Sequence, residues 1–269
     1  MEIAFGAKTD VGLKRSHNED SLCADPELGL FLVCDGMGGR NAGEVASQLT
    51  VEMIQTHMRE ARYNKGLPLI GEYDPKFSPR TNRLASAIRL ANEVVYGASR
   101  SNPNQAGMGT TAVAAVITDQ VLSVAHVGDS RLYLLRGDDI QSLTTDHSLV
   151  AEQVRRGLLT EEEAQESPQR NIVTRALGVD HSVEVELDEM QLFPGDILLL
   201  CSDGLTRSVK PAEILKVAQS ESEPQAACEH LVEMANAAGG DDNTTVIQLN
   251  VRKTAPQGFW KRLWKRMGR

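Results

Sequence analysis

TAVAAVITDQVLSVAHVGDSRLYLLR, residues 111–136, holds three runs of β-branched and aliphatic residues: Thr111–Thr118, Val121–Val127 and Leu132–Arg136. Each run is of strand length, and only Thr118-Asp119-Gln120 and Gly128-Asp129-Ser130 separate them. Connections this short join neighbouring strands antiparallel, because a parallel crossover needs about a dozen residues or more. The spacing predicts antiparallel sheets built from hairpins rather than alternating βαβ units. Further out, strand patterns recur at Ile3–Thr9, Leu30–Asp35, Val183–Leu187, Ile197–Cys201 and Thr244–Val251. Helical periodicity covers Ala42–Arg62, Arg80–Ser101, Leu149–Arg156, Thr160–Glu166, Pro211–Ala218 and Glu223–Ala237. Two long helices follow the early strands and two precede the last. The Pro/Gly-rich loop at 64–79 interrupts the helices without a change of composition, which predicts one domain over 1–251 followed by a linker and tail, 252–269.

Composition narrows the function. The chain has 269 residues, 41% apolar and 24% charged, a mixture that suits a folded domain and excludes fibrous or disordered classes. No run approaches the roughly 18 apolar residues of a spanning helix. The start, MEIAFGAKTD, lacks the apolar core of a secretory signal, so a cytoplasmic location is expected. Cys23, Cys34, Cys201 and Cys228 show no CxxC spacing and mostly sit in apolar runs; reduced, buried thiols are expected, with neither disulfides nor zinc. Net charge is −9, yet residues 252–269 hold seven bases and no acids, so 1–251 carry 21 bases against 37 acids, net −16. Such a body repels nucleic acid. Any phosphate it handles must be met by a local cation.

Four aspartates stand at the ends of apolar runs: Asp35 after LFLVC, Asp203 after ILLLCS, Asp129 within AHVGDSRLYL, and Asp242 ahead of NTTVIQLNV. Any one beside glycine is usually a turn residue. If the strand ends converge on one rim, however, like charges a few ångströms apart require a cation between them. Ligands that are all oxygen suit a hard ion, magnesium or manganese. Upstream, RSHNED (15–20) supplies Arg15, of the residue type that grips phosphate bidentately, with His17 and Asp20. His126, inside LSVAHV, reads as a hydrogen-bonded core residue.

RSHNED, DGMGGRNAGEVAS, GMGTT, VGDSRLYLLR, LTTDHS, RALG, SDGL and GGDDNTT occur in the order found in metal-dependent type 2C Ser/Thr protein phosphatases, bacterial members above all. The resemblance runs from about Phe5 to Val251. It implies an α+β fold, a four-layer α-β-β-α sandwich of two antiparallel sheets flanked by helix pairs, and hydrolysis of phosphoserine and phosphothreonine in proteins by metal-activated water. Carried over motif by motif, Asp35 bridges two Mn2+ or Mg2+ ions, the Gly36 carbonyl holds the second, and Asp203 and Asp242 complete the first. Asp20 acts through a water of the cluster, Asp129 with Asp203 holds a third, weaker ion, and Arg15 binds phosphate. The implied partners are phosphoproteins of a Ser/Thr kinase system, and a monomer is expected. Many eukaryotic relatives carry a histidine after Asp-Gly, often proposed as general acid; here the residue is Met37, whose thioether has no proton to give, which leaves His17 or water for that role.

Two rivals belong to other classes. DGMGG before a helix resembles the D-x-G-x-G box of histidine-kinase-type ATPases, but that reading leaves Asp203 and Asp242 without a role. A non-catalytic phosphopeptide binder is opposed by the full set of aspartates. The segment Ser148–Arg170 resembles a mobile flap beside the metal site, against a fixed helical hairpin as the plain alternative. Beyond the motifs, FWKRLWKRMGR (259–269) sets Phe259, Trp260, Leu263, Trp264 and Met267 on one helical face and bases on the other. This pattern suits contact with an anionic membrane surface; a disordered tail, or one docked on the acidic body or a partner, is the alternative.

Overall fold

A computed structural model of the chain describes residues 2–39 and 42–253. Strand β3 (Leu30–Met37) shows how its layers arise. Leu30, Leu32 and Cys34 pack in one apolar cluster with helices α1 (Ala42–Tyr63) and α2 (Pro79–Ser101). Phe31 and Val33, on the opposite face, join a second cluster shared with the other sheet. A strand covered on both faces has to be apolar at every position, which is why LFLVC is a continuous run.

The described strands form two antiparallel sheets. One is ordered β1 (Glu2–Asp10), β11 (Thr244–Arg252), β10 (Ile197–Cys201), β7 (Arg131–Arg136), β8 (Asp139–Ser142). The other is ordered β2 (Asp20–Asp25), β3, β5 (Ala112–Thr118), β6 (Val121–Val127), β9 (Glu186–Gln191), with the short β4 (Gly109–Thr110) against the end of β3. Leu132, Leu134, Leu198, Leu200, Ile247 and Leu249 face Phe31, Val33, Val113, Leu122 and Val124 across the middle layer. Each such side chain contributes roughly 1.5–3 kcal/mol when fully buried. Helices α6 (Pro211–Ser220) and α7 (Pro224–Ala237) cover the outer face of the first sheet through Ile214, Val217, Leu231 and Val232. The result is the expected α-β-β-α sandwich. Two short helices, α3 (Leu149–Arg155) and α4 (Glu161–Glu166), lie outside these layers, and α5 (Asp203–Thr206) follows β10 directly.

The structure corrects three local expectations. Thr118-Asp119-Gln120 closes the β5–β6 hairpin, but Gly128-Asp129-Ser130 does not close one: β6 and β7 belong to different sheets, and the chain crosses between them there. Gly128 makes the crossing possible, with φ +107° and a position where a Cβ would meet Thr111 Cγ2 at 2.5 Å. The strand expected at Val183–Leu187 lies later, at Glu186–Gln191, because its pairing to β6 runs from His126–Glu186 to Val121–Gln191. Strand β2 was not expected at all, and its partner β3 supplies the order that its polar ends do not. All four cysteines are buried with free thiols. The tail face from Phe259 to Met267 lies outside the described residues.

Candidate metal centre

Asp20 and Asp35 are direct cross-strand partners in the β2–β3 ladder. Side chains alternate along a strand, so Asp35 shares the face of Phe31 and Val33, and Asp20 that of Leu22 and Ala24. Both carboxyls therefore enter the end of the layer between the sheets. Asp203 arrives from the other sheet, two residues past Cys201 at the end of β10, and Asp242 stands just before β11. Asp129 sits on the crossing between β6 and β7 and is 6% exposed.

Backbone anchors hold the rim. The Asp35 N–H donates to Thr111 Oγ1 at 2.9 Å, while Thr110 Oγ1 and the Thr111 N–H both donate to the Asp35 carbonyl at 2.8 Å. Gly36 is pressed between two chains: a Cβ there would lie 2.1 Å from the Gly43 carbonyl oxygen and 2.5 Å from that of Glu19. Ser202 Oγ donates to Asp20 Oδ2 at 2.8 Å. Asn243 ties down the loop that carries Arg15, accepting from the Glu19 N–H (2.8 Å) and donating to the Val11 and His17 carbonyls (2.9 and 3.0 Å).

The electrostatics are those of crowded acids. Burial, then repulsion from Asp20, Asp203, Asp129 and Asp242, drives the Asp35 carboxyl well above the usual carboxylate range. Burial raises Asp20 and Asp129 to about 7 each, with Asp203 adding repulsion to both. Asp203 is raised mainly by burial, against the pull of Arg207. Asp20 Oδ1 and Asp203 Oδ1 are buried without any hydrogen-bond partner. Orphaned carboxylate oxygens beside a carbonyl-bearing glycine, with oxygen as the common donor, fit hard divalent cations.

His126, His147 and Glu186 form a second group of metal-ligand types, but three of its four ring nitrogens are committed. The Gly128 N–H donates to His147 Nδ1 (3.0 Å), so the His147 proton is on Nε2, which faces Glu186 Oε2 at 3.0 Å. His126 Nε2 donates to the Thr145 carbonyl at 2.9 Å. His126 is thus the hydrogen-bonded core residue that the sequence suggests.

The family model described as Protein phosphatase 2C matches residues 14–244. The chain belongs to that family. It is 37% identical over 243 residues to the serine/threonine phosphatase stp of Listeria innocua, covering 89% of this chain and 92% of that one. The crystal structure of the Mycobacterium tuberculosis serine/threonine phosphatase PstP/Ppp superposes with a TM-score of 0.82 at 35% identity, covering 93% of this chain and 99% of that one. The PstP catalytic domain in complex with two manganese ions gives 0.79, with the same identity and coverage. This phosphatase, like its family, is a metal-dependent hydrolase of phosphoserine and phosphothreonine in proteins.

In this phosphatase Asp20, Asp129, Asp203 and Asp242 all act on the charge of Asp35, and Gly36 follows it in the chain. Arg15, 51% exposed, pairs with Asp242 at 2.9 Å. His17 is exposed, and its carbonyl rather than its ring is held by Asn243. Three contributors escape sequence reading: Asn243, His147 and Arg207. Arg207 had a legible signal, since Ser202-Asp203 opens a helix turn and position 207 falls four residues on, on the same face.

Proposed function

We propose that Asp35, the Gly36 carbonyl, Asp203 and Asp242 hold two divalent cations, and that Asp20 acts on them through a water. The supporting observation is the Asp35 carboxyl, at the middle of the carboxylate cluster and next to the unpartnered oxygens of Asp20 and Asp203. When bound, manganese or magnesium supplies a lowered pKa for an attacking water and neutralises charge on phosphate. This chain's residues do the rest. Arg15 rests on Asp242, and with that carboxylate engaged by a metal its guanidinium would be free to take two phosphate oxygens. Thr110 and Thr111 fix the Asp35 backbone, so the carboxyl needs no reorganisation to receive its ligands. Met37 donates no proton to the leaving alkoxide, so that proton comes from His17 or water.

The substrates are proposed to be phosphoproteins of a Ser/Thr kinase system, met by a cytoplasmic monomer whose catalytic unit spans 1–251. No described helix is long and apolar enough to cross a membrane. The tail is proposed to touch an anionic bilayer peripherally. Its root, Arg252, pairs with Glu2 at the end of the β1–β11 ladder away from the Asp10–Thr244 pair beside the metal centre. Tail contact therefore leaves the metal centre accessible. Flotation of the intact chain with anionic liposomes at low salt, lost on truncation at Pro256, is expected; an intact chain that stays behind removes this reading.

The catalytic assignment is tested by adding manganese to metal-free protein with a phosphothreonine peptide and measuring phosphate release. Asp35→Asn is expected to lower turnover by at least about a hundredfold and to weaken manganese binding in calorimetry. Full activity in that variant overturns the assignment.

A further inference from the structure

Arg207, the residue that caps the C-terminus of α5, follows Asp203 by four residues, and its guanidinium reaches two carboxylates at once. It pairs with Asp203 Oδ2 and donates from Nη1 to Asp242 Oδ2 at 3.0 Å. The pairing closes one Asp203 oxygen only, because Oδ1 stays buried and unpartnered. Asp203 thus has one oxygen on an arginine and the other without a partner, the one that would be left for the cation pair. Asp129, 6% exposed, lies on the crossing between the sheets, and the resemblance pairs it with Asp203 at a third ion.

A third divalent ion on Asp203 beside the metal pair would compete with Arg207 for Oδ2, and it would stand against a fixed positive charge. We propose that the Arg207 guanidinium, held on Asp203 Oδ2 and Asp242 Oδ2, takes the place of the third, weaker metal ion that Asp203 would otherwise share with Asp129, so that this phosphatase binds two metals and carries its third cation on its own chain. The inference rests on the assignment of Asp35, Asp203 and Asp242 to the metal pair. A tethered cation differs from an exchangeable one in two ways. It stays in place when divalent ions are scarce, and it offers hydrogen-bond donors but no coordination position for water. The third positive charge here orients carboxylates and does not activate a nucleophile.

The test is the stoichiometry of manganese on the full chain, by calorimetry and by counting bound ions after gel filtration. The unsubstituted chain is expected to take up two ions, and Asp129→Ala to leave that number unchanged. Arg207→Asp, which exchanges the guanidinium for a further carboxylate, is expected to gain a third, weaker ion that is lost again when Asp129→Ala is added. Arg207→Lys keeps the charge and is expected to stay at two. Should Arg207→Asp fail to fold, Arg207→Ala serves in its place and is expected to admit the third ion more weakly. A third ion on the unsubstituted chain that disappears with Asp129→Ala overturns the proposal, as does a count of two in both Arg207→Asp and Arg207→Ala. Fewer than two ions on the unsubstituted chain instead overturns the metal-pair assignment on which it rests.

Discussion

Asp242 Oδ2 receives two guanidinium groups, Arg15 at 2.9 Å and Arg207 at 3.0 Å, yet the two arginines sit differently. Arg207 is also tied to Asp203, whereas Arg15 is half exposed on the 11–19 loop and has Asp242 as its ion-pair partner. A surface ion pair of this kind contributes about 1 kcal/mol at most, so Arg15 exchanges it readily for a dianionic phosphate. Arg15→Ala is expected to raise KM for a phosphopeptide about tenfold or more, and to weaken inhibition by inorganic phosphate in step, since a charge-assisted pair of bonds is lost. Manganese affinity should stay the same or tighten slightly as a competitor for Asp242 is removed. An unchanged phosphate inhibition constant would remove Arg15 from the substrate site. Asp35, Asp203 and Asp242 were legible because each ends or precedes an apolar run, where a charge has no packing reason to be. Asn243 was not, because its three bonds go to backbone atoms of a loop more than 200 residues away.

At the scale of elements, what the sequence shows well are strands covered on both faces. Ile197–Cys201 and Val121–Val127 were readable to the residue, since burial on both sides makes the first an unbroken apolar run and leaves only Ser123 and His126 as polar positions in the second. DSLCAD was not, because β2 is an edge strand with an aspartate at each end, and one of these belongs to the metal centre rather than to the fold. The crossing at Gly128 was misread because a two-sheet sandwich uses the same short Gly-Asp-Ser link that a hairpin does. His147 settles it, gripping both polar atoms of Gly128: its N–H donates to the Gly128 carbonyl (3.0 Å) and its Nδ1 accepts from the Gly128 N–H. From His147 the chain enters α3 and α4, returning at Thr174, whose N–H donates to the His147 carbonyl at 2.8 Å. Within these two helices only Val150 and Ala164 are buried, while Leu158 and Ile172 beside them are exposed. A pair of helices pinned at its root and poorly buried opens locally at low cost. Amide hydrogens in residues 149–170 are expected to exchange well ahead of those in Ile197–Cys201, and equal protection in both segments would identify a fixed hairpin instead of a flap.

For the molecule as a whole, the metal centre is a charge that the two sheets are assembled around. Burial lifts Asp20 and Asp129 to about 7, and lifts Asp35 and Asp203 above their ordinary values, so the metal-free fold holds protons that the unfolded chain releases near pH 4. The sign follows from which state binds more protons. These groups support the fold fully below about pH 4, and that support is lost as pH rises through their folded values. Three buried histidines act the other way: burial lowers His57, His126 and His147, so their charging opposes the fold as pH falls below about 6.5. Above pH 6.5 the carboxylates are left to dominate. Each proton held only by the folded chain costs about 1.4 kcal/mol per pH unit as it is released, or about 3 °C in Tm for a domain of this size. Metal-free protein is therefore expected to melt at progressively lower temperature between pH 6.5 and 8.5. Saturating manganese replaces those protons, so it should raise Tm more at pH 8.5 than at pH 6.5 and flatten the profile. Asp20→Asn with Asp129→Asn should flatten it without metal. A metal-free Tm independent of pH over this window, measured by scanning calorimetry, would mean that Asp20, Asp35, Asp129 and Asp203 do not share the charge conflict on which the metal assignment stands.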